Sequence, residues 1–155
     1  MLSVVLCGDK DNDASVVALE SLRRAVPRDS EIIFSDAGDG NLAKARNAGL
    51  ARARGEYVSF LTVGECYATS RIAEILALTA RQGGADVHGG AGGLASYVFR
   101  RDWIRSTGLR FYGERNGGEL FLRMARFAVG DVRFPQRPVI SGRAIPLGPP
   151  ECARA

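Results

Sequence analysis

The sequence predicts an α/β domain with a mostly parallel central sheet flanked by helices. Three short apolar runs, at residues 2–7, 31–35 and 56–61, each have the length of a buried strand and end in a polar or glycine-containing turn. Apolar residues at helical spacing follow each run, and this alternation is typical of a parallel sheet covered by helices. Such sheets bind ligands beyond the carboxyl ends of their strands, so a site is expected there.

The first two helices follow from apolar spacing and from capping residues. The helix after the first strand stops at Pro27, and its predicted buried stripe is Val16, Leu19, Leu22 and Val26. The second helix covers residues 42–54, with Asn41 as its cap and Gly55 as its stop. Its predicted inner stripe is Leu42, Ala45, Gly49, Leu50 and Ala53, and Lys44, Arg46, Asn47, Arg52 and Arg54 are predicted to lie largely away from it.

The second half of the chain predicts shorter elements. A helix is expected over residues 70–81, strands over 85–87 and 94–100 around a glycine-rich loop, and a short helix from Asp102 to a bend at Gly108. A last helix is expected over residues 119–128, with Leu120, Met124 and Phe127 facing inward. The tail beyond it is rich in proline.

Composition limits the class of protein. The 155 residues, 46% hydrophobic and 25% charged, are typical of one globular domain, and no apolar run reaches the roughly 20 residues of a membrane span. The cysteines Cys7, Cys66 and Cys152 have neither disulfide-framework nor zinc-site spacing, so a reducing cytoplasm is expected. His88 is the only histidine and is interpreted as a loop residue.

The net charge of +4 comes almost wholly from arginine, because 19 of the 21 basic residues are arginine. Arginine forks suit phosphates, which favours a compact anionic ligand. The arginines are scattered rather than clustered with aromatic residues, so nucleic acid is not the expected partner. Membrane contact, if present, is expected to be peripheral.

Several segments in order resemble family 2, or GT-A, inverting glycosyltransferases. LSVVLCGDKDN is similar to the family's first strand and loop, EIIFSDAGDG to its second strand and acidic turn, and KARNAGLARARGEYVSFL to its helix-strand signature. YVFRRDWIRSTGLRF and GGELFLRM are similar to its acceptor-side half. The resemblance implies a Rossmann-like GT-A fold in a single domain, 1–155, with a nucleotide-binding half, 1–65, and an acceptor-side half, 85–145.

The resemblance also implies roles for residues of the first half. Cys7, Asp9 and Asp36 would line the nucleotide-base pocket, and Arg46 would lie close to the nucleotide, which a UDP-sugar would supply. An aspartate can accept hydrogen bonds from a base or ribose, and an arginine can offset diphosphate charge. The alternatives are an Asx turn for Asp36 and a solvated helix face for Arg46.

The chain departs from the family at its acidic motifs. The second aspartate of the acidic turn is Ala37, and the Asp-x-Asp motif that holds a divalent cation after the third strand reads Thr62, Val63, Gly64 and Glu65. Mn²⁺ or Mg²⁺ requires oxygen ligands, usually carboxylates. Glu65 is therefore the one candidate metal ligand in an eroded motif.

The resemblance places the general base before the last helix, where Glu119 is the remaining carboxylate. The family's spacing puts the base nearer Gly117, so Glu119 is either the base or an ordinary first-turn helix carboxylate, and Glu114 is another carboxylate nearby. The nucleotide side is trimmed, because the helix and edge strand usual between acidic turn and second helix are missing. A minimal acceptor side without a membrane-associating element after it is also expected.

Three functions remain open from the sequence. The first is transfer of a sugar from a nucleotide diphosphate sugar to an acceptor hydroxyl with inversion, with Glu119 as base and Glu65 or an arginine at the diphosphate. The second is an inactive glycosyltransferase homologue that binds a nucleotide or a partner. The third is a binding module unrelated to sugars. Homodimerisation through an exposed sheet edge is a further expectation.

Overall fold

A computed structural model describes residues 1–64, 86–89, 94–113 and 117–128. The elements in chain order are β1 (Leu2–Gly8), α1 (Asp13–Ala25), β2 (Glu31–Asp36), α2 (Leu42–Arg52), β3 (Tyr57–Thr62), β4 (Val87–Gly89), β5 (Tyr97–Arg100), α3 (Arg101–Thr107) and α4 (Gly117–Ala128). The predicted helix over 70–81 lies outside the described residues, as do Glu65, Cys66, Glu114 and Cys152. Within the described part, no helix has the length and apolarity to cross a bilayer.

The described strands form one five-stranded sheet in the order β2-β1-β3-β5-β4. β1 pairs in parallel with both β2 and β3, whereas β5 runs antiparallel to both β3 and β4. Four of the five strands therefore point the same way, which confirms the mostly parallel sheet. The predicted strand over 94–100 is shorter than expected, because Leu94–Ser96 form a 3-10 turn.

The sheet is covered on both faces, as expected for a central strand such as β1, whose residues are buried along its whole length. Val4 and Leu6 point to a core that includes Leu22 of α1. Val5 and Cys7 point to the opposite core, which receives buried side chains from the three other described helices, namely Ala43 and Ala45 from α2, Ile104 from α3, and Phe121 and Ala125 from α4.

Four phenylalanines form the centre of this second core. Phe60 of β3 lies edge-on to Phe111, with ring centroids 4.7 Å apart. Phe111 in turn stacks on Phe121 of α4 at 4.1 Å with an interplanar angle of 9°, and Phe121 meets Phe99 of β5 edge-on at 5.2 Å. The cluster therefore joins the strands of the first half to the last described helix.

The inner faces of α1 and α4 differ from the prediction. In α1, Asn12 caps the first turn and Ser15 donates from Oγ to the Asp9 carbonyl, so Ser15 faces inward and Val16 is 55% exposed. In α4, Phe121 and Ala125 are buried, whereas Leu120 is 44% exposed. The predicted inward position of Leu120 is wrong because the helix turns its aromatic face toward the phenylalanine cluster. The side chain of Phe127 lies outside the described residues.

The end of α2 also differs from the prediction. The helix stops at Arg52, with Ala53 in extended conformation as its cap, two residues before the expected stop at Gly55. Gly55 is needed for a different reason, because a Cβ atom built there would lie 2.7 Å from the backbone nitrogen of Ser3. The glycine allows the α2–β3 turn to pass directly against β1. Gly108 ends α3 in left-handed conformation, which confirms the predicted bend.

Glu31 ties β2 to β1 and to the turn before β3. Its Oε2 accepts hydrogen bonds from Ser3 Oγ at 2.7 Å and from the Arg54 backbone N–H at 2.9 Å. Partial burial by itself raises the pKa of Glu31. The hydrogen bonds and the positive charge of Arg54 outweigh burial, and the pKa lies below its ordinary value of 4.5.

Replacing Glu31 with glutamine should lower the free energy of unfolding by about 1–2 kcal/mol near neutral pH, because charge-assisted bonds become neutral ones. Since the folded state binds the Glu31 proton less tightly than the unfolded state, this stabilisation is complete above 4.5 and is lost as the pH falls through the lower folded-state pKa. Urea unfolding at several pH values should show that the difference in free energy of unfolding between wild type and Glu31→Gln becomes smaller in acid.

The matched control is Glu56→Gln, which removes an exposed carboxylate 3.8 Å from Arg100. Exposed ion pairs of this kind contribute about 0–1 kcal/mol. Equal losses from the two variants would contradict the special role of Glu31.

Candidate functional site

The carboxyl ends of β1, β2 and β3 lie at the same edge of the sheet. Because β1 lies between β2 and β3, the chain passes from one side of β1 to the other between β2 and β3. Cys7 lies opposite Thr62 in the register of β1 and β3. The backbone N–H groups of Ala37 and Val63 donate to the carbonyls of Gly8 and Cys7, both at 2.8 Å, and hold the three strand ends together. Parallel α/β sheets bind ligands at such a switch point.

Asp9 and Asp36 bring two exposed carboxylates to the same corner. Asp36 Oδ1 accepts from the backbone N–H groups of Lys10 at 3.2 Å and Gly38 at 3.1 Å, and Asp9 Oδ1 accepts from Asp11 N–H at 2.9 Å. A Cβ atom built on Gly38 would lie 3.3 Å from Asp36 Oδ1 and 3.5 Å from Asp9 Oδ1. The hydrogen bond from the Gly38 N–H makes Asp36 the first residue of an Asx turn. Both carboxylates still have lone pairs that can accept a hydrogen bond from a ligand.

The acidic turn ends against the start of α2. Asp39 accepts hydrogen bonds from the Asn41 backbone N–H at 3.0 Å and from Lys44 Nζ at 3.4 Å. The Asn41 hydrogen bond, and then the contact with Lys44, hold the pKa of Asp39 below its usual range despite some desolvation. Asn41 Oδ1 accepts from Lys44 N–H, which confirms the predicted helix cap.

Cys7 lies in the apolar core rather than on an open surface. Its residue is completely buried and packs among core residues beneath α2. Its thiol is therefore not placed to touch a nucleotide in this arrangement. What Cys7 gives the site is its carbonyl, which accepts from Val63 N–H and fixes the end of β3 beside β1.

Arg46 lies in the interior, so the alternative of a solvated helix face does not hold for this residue. Only 7% of the residue is exposed. Its Nη2 donates to Thr62 Oγ1 at 3.2 Å, and its guanidinium carbon lies 5.5 Å from the centre of the Phe111 ring. Burial of arginine requires such partners, and the hydroxyl and the aromatic ring provide them. The structure thus places a positive charge at the end of β3.

The described residues at the end of β3 and directly after it do not fit a hard divalent cation. Thr62 offers a hydroxyl that already accepts from Arg46, Val63 is apolar and Gly64 has no side chain. Mg²⁺ and Mn²⁺ require several oxygen ligands, and a neighbouring guanidinium repels them. Among the described residues, no three His, Cys, Asp or Glu side chains are grouped for a metal. Glu65, the predicted metal ligand, lies outside these residues.

Glu119 lies on the exposed side of the first turn of α4. Its carboxylate is 67% exposed and accepts from Arg123 Nη2 at 3.3 Å, a typical pair one helical turn apart. Gly117, nearer to the family's base position, is buried, and a Cβ atom built there would lie 2.6 Å from the Tyr112 carbonyl oxygen. A carboxylate side chain therefore does not fit at position 117 without movement of the backbone.

The first turn of α4 contacts α2 at Arg46. A Cβ atom built on Gly118 would lie 3.4 Å from Arg46 Nη1. Two neighbours of Arg46 were not predicted for the site, namely Phe111 beneath its guanidinium and Asn47, which contacts the Phe111 backbone. Phe111 is far from Arg46 in the sequence, and no sequence pattern indicates that the two are in contact. Asn47, in contrast, directly follows Arg46 in the KARN segment, residues 44–47.

Solved structures of TarS from S. aureus are similar to this chain in fold. The complex of TarS 1-349 with UDP-GlcNAc has a TM-score of 0.69 at 16% sequence identity, over 82% of this chain and 53% of that chain. The complex with UDP has a TM-score of 0.69 at 15% identity, over 82% and 55% of the two chains. A further TarS structure gives 0.67 at 15% identity, over 82% and 33%.

This chain therefore spans between a third and about half of the TarS chains that it matches. No curated protein matches the sequence. The model of the family Glycosyl transferase family 2 matches residues 2–140, which is most of the chain. Together with the parallel strands, the acidic turn and the KARN helix, this match shows that the chain belongs to glycosyl transferase family 2 and has its GT-A fold.

Proposed function

We propose that this chain binds a UDP-sugar at the carboxyl ends of β1, β2 and β3 and transfers the sugar to an acceptor hydroxyl with inversion. The observation that carries the proposal is the buried guanidinium of Arg46 beside Thr62. A cation in a poorly hydrated position interacts strongly with an anionic group that enters the site. The similarity to TarS structures that contain UDP-GlcNAc and UDP supports the choice of nucleotide.

The residues of this chain would divide the work as follows. Asp9 and Asp36 accept hydrogen bonds from donors on the uracil or ribose, because both carboxylates are exposed at one corner. Arg46 stabilises the charge that develops on the diphosphate as the bond between it and the anomeric carbon breaks. Glu119, as base, removes the acceptor proton while the acceptor oxygen attacks from the opposite face of the sugar.

Glu119 also motivates a second candidate function, binding without turnover. Its carboxylate is directed to solvent and paired with Arg123, while a side chain at position 117 is sterically blocked. A domain with this arrangement would hold a nucleotide sugar and lack a base at the acceptor. A Glu119→Gln variant with full transfer activity would exclude Glu119 as the base, and a wild-type protein that binds without transfer would favour the second function.

Calorimetric titration with UDP and UDP-GlcNAc tests the nucleotide site. We expect binding in EDTA, because Arg46 supplies positive charge without a metal, and an affinity loss of about tenfold to a hundredfold in Arg46→Met. The matched control is Arg52→Met, which removes an exposed arginine from the same helix. Circular dichroism establishes that both variants are folded.

Three results would contradict this assignment. Equal affinities in Arg46→Met and Arg52→Met would remove Arg46 from the site. Affinity seen only with Mn²⁺ would place a cation at the diphosphate, with Glu65 as its candidate ligand. No binding of any nucleotide by the wild type would overturn the proposal as a whole. The cytoplasmic location and a homodimer stay predictions.

A further inference from the structure

The segment between α3 and α4 is held to α2 by one side chain, Asn47. The Asn47 amide donates from Nδ2 to the Phe111 carbonyl at 2.8 Å and accepts at Oδ1 from the Phe111 N–H at 2.9 Å. These two bonds satisfy both backbone polar groups of a residue that belongs to no helix or strand. The amide thus pairs with Phe111 much as a neighbouring strand would, across 64 positions of sequence.

The Phe111 ring contacts both Arg46 and α4. It is only 2% exposed, and its ring stacks on Phe121 of α4 at 4.1 Å. The Arg46 guanidinium lies 5.5 Å from the centre of the same ring. A shift of the Phe111 backbone would therefore move both the surface on which Arg46 lies and the ring against which α4 packs.

The residue after Phe111 supports the beginning of α4. The Tyr112 carbonyl lies so close to Gly117 that a Cβ atom built on the glycine would be 2.6 Å from it. Gly117 also approaches Ala43 of α2, where the corresponding distance to the alanine Cβ is 3.3 Å. The first turn of α4 is thus packed between α2 and the segment that Asn47 holds.

We propose that Asn47 is a positioning residue, which sets Arg46 and the first turn of α4 by fixing the Phe111 backbone. Its effect on ligand affinity rests on the proposed diphosphate contact of Arg46. The side chain of Asn47 acts through Phe111, and it makes the nucleotide half and the acceptor half of the site move as one unit. Small displacements of the groups that bind a ligand strongly affect how well they interact with it. The two hydrogen bonds of Asn47 therefore contribute to affinity although Asn47 itself does not touch the ligand.

The test compares Asn47→Ala, which removes both hydrogen bonds, with Asn47→Asp, which keeps the acceptor for the Phe111 N–H and loses the donor. We expect the UDP affinity of Asn47→Ala to fall about tenfold, and that of Asn47→Asp to fall at least as far, because its second carboxylate oxygen would face the Phe111 carbonyl oxygen in place of the donor. Hydrogen exchange followed by mass spectrometry should accelerate in residues 109–113 and in the first turn of α4. Peptides from β1 and β3 should keep their wild-type exchange.

The matched control is Leu22→Ala, which lowers stability from the opposite face of the sheet and leaves Phe111 untouched. It should retain wild-type UDP affinity. The proposal is overturned if Asn47→Ala binds UDP as tightly as the wild type, or if it resembles Leu22→Ala in both measurements. If the wild type binds no UDP, the proposed function fails, and unchanged exchange at the start of α4 would still refute the positioning role.

Discussion

Replacing Phe121 with alanine is expected to lower the free energy of unfolding by about 3–5 kcal/mol, a large part of the stability of an ordinary domain. Phe121 is completely buried and contacts three other aromatic rings, those of Phe60, Phe99 and Phe111. Removing the ring loses its burial and leaves a cavity that rigid aromatic neighbours fill poorly. Urea unfolding followed by circular dichroism measures the loss.

The adjacent residue gives the control. Leu120→Ala removes a large apolar side chain from the same helix at a position that is 44% exposed, and a loss of about 0.5 kcal/mol or less is expected. Losses of similar size at the two positions would mean that α4 packs with a different face toward the sheet. This pair of variants therefore decides directly between the observed orientation of α4 and the one predicted from its sequence.

Gly49→Ala is expected to destabilise the protein by about 1–3 kcal/mol, although alanine normally favours a helix over glycine by about 1 kcal/mol. The reason is the close approach of α2 to β1, where a Cβ atom on Gly49 would overlap the Val5 side chain. Val5 is completely buried and has no room to withdraw. Thermal or urea unfolding measures the change.

A double-mutant cycle isolates this contact. Val5→Ala alone should cost about 2–3 kcal/mol through a cavity, and in the double variant the new methyl group fills part of it. The double variant should therefore lose less than the sum of the single changes, by about 1 kcal/mol or more. Ala48→Gly, at an exposed position of the same helix, measures the difference in helix propensity between alanine and glycine without a packing effect. Additive losses, or a stabilising Gly49→Ala, would contradict the packing described.

The sheet and the helix order could be predicted because each depends on local signals. The strand β1 is a continuous apolar run, and Asn41 marks the start of α2 by its side-chain cap. The inner face of α4 could not be predicted from periodicity, since apolar residues lie on both sides of this helix. Only the positions of the rings on β3 and β5 decide that Phe121 turns inward.

The environment of Arg46 could not be predicted from the sequence for a related reason. A charged side chain on a helix is normally assigned to solvent, and the resemblance to the family was the only signal for a role at the nucleotide. Its burial depends on Thr62 at a strand end and on Phe111 far along the chain. The hydrogen bonds of Asn47 likewise could not be predicted, because their partner, the Phe111 backbone, is not indicated by any sequence spacing.

The phenylalanine cluster has a consequence for how the chain folds. Its members come from β3, β5, α4 and the segment before α4, so none of their mutual contacts forms within a single local element. Loops must close before these contacts repay their entropy, and such non-local topologies fold slowly. If β1, β2 and β3 assemble first, the contacts of Phe121 are absent from the folding transition state. Phe121→Ala should then slow refolding only weakly and act mainly by accelerating unfolding.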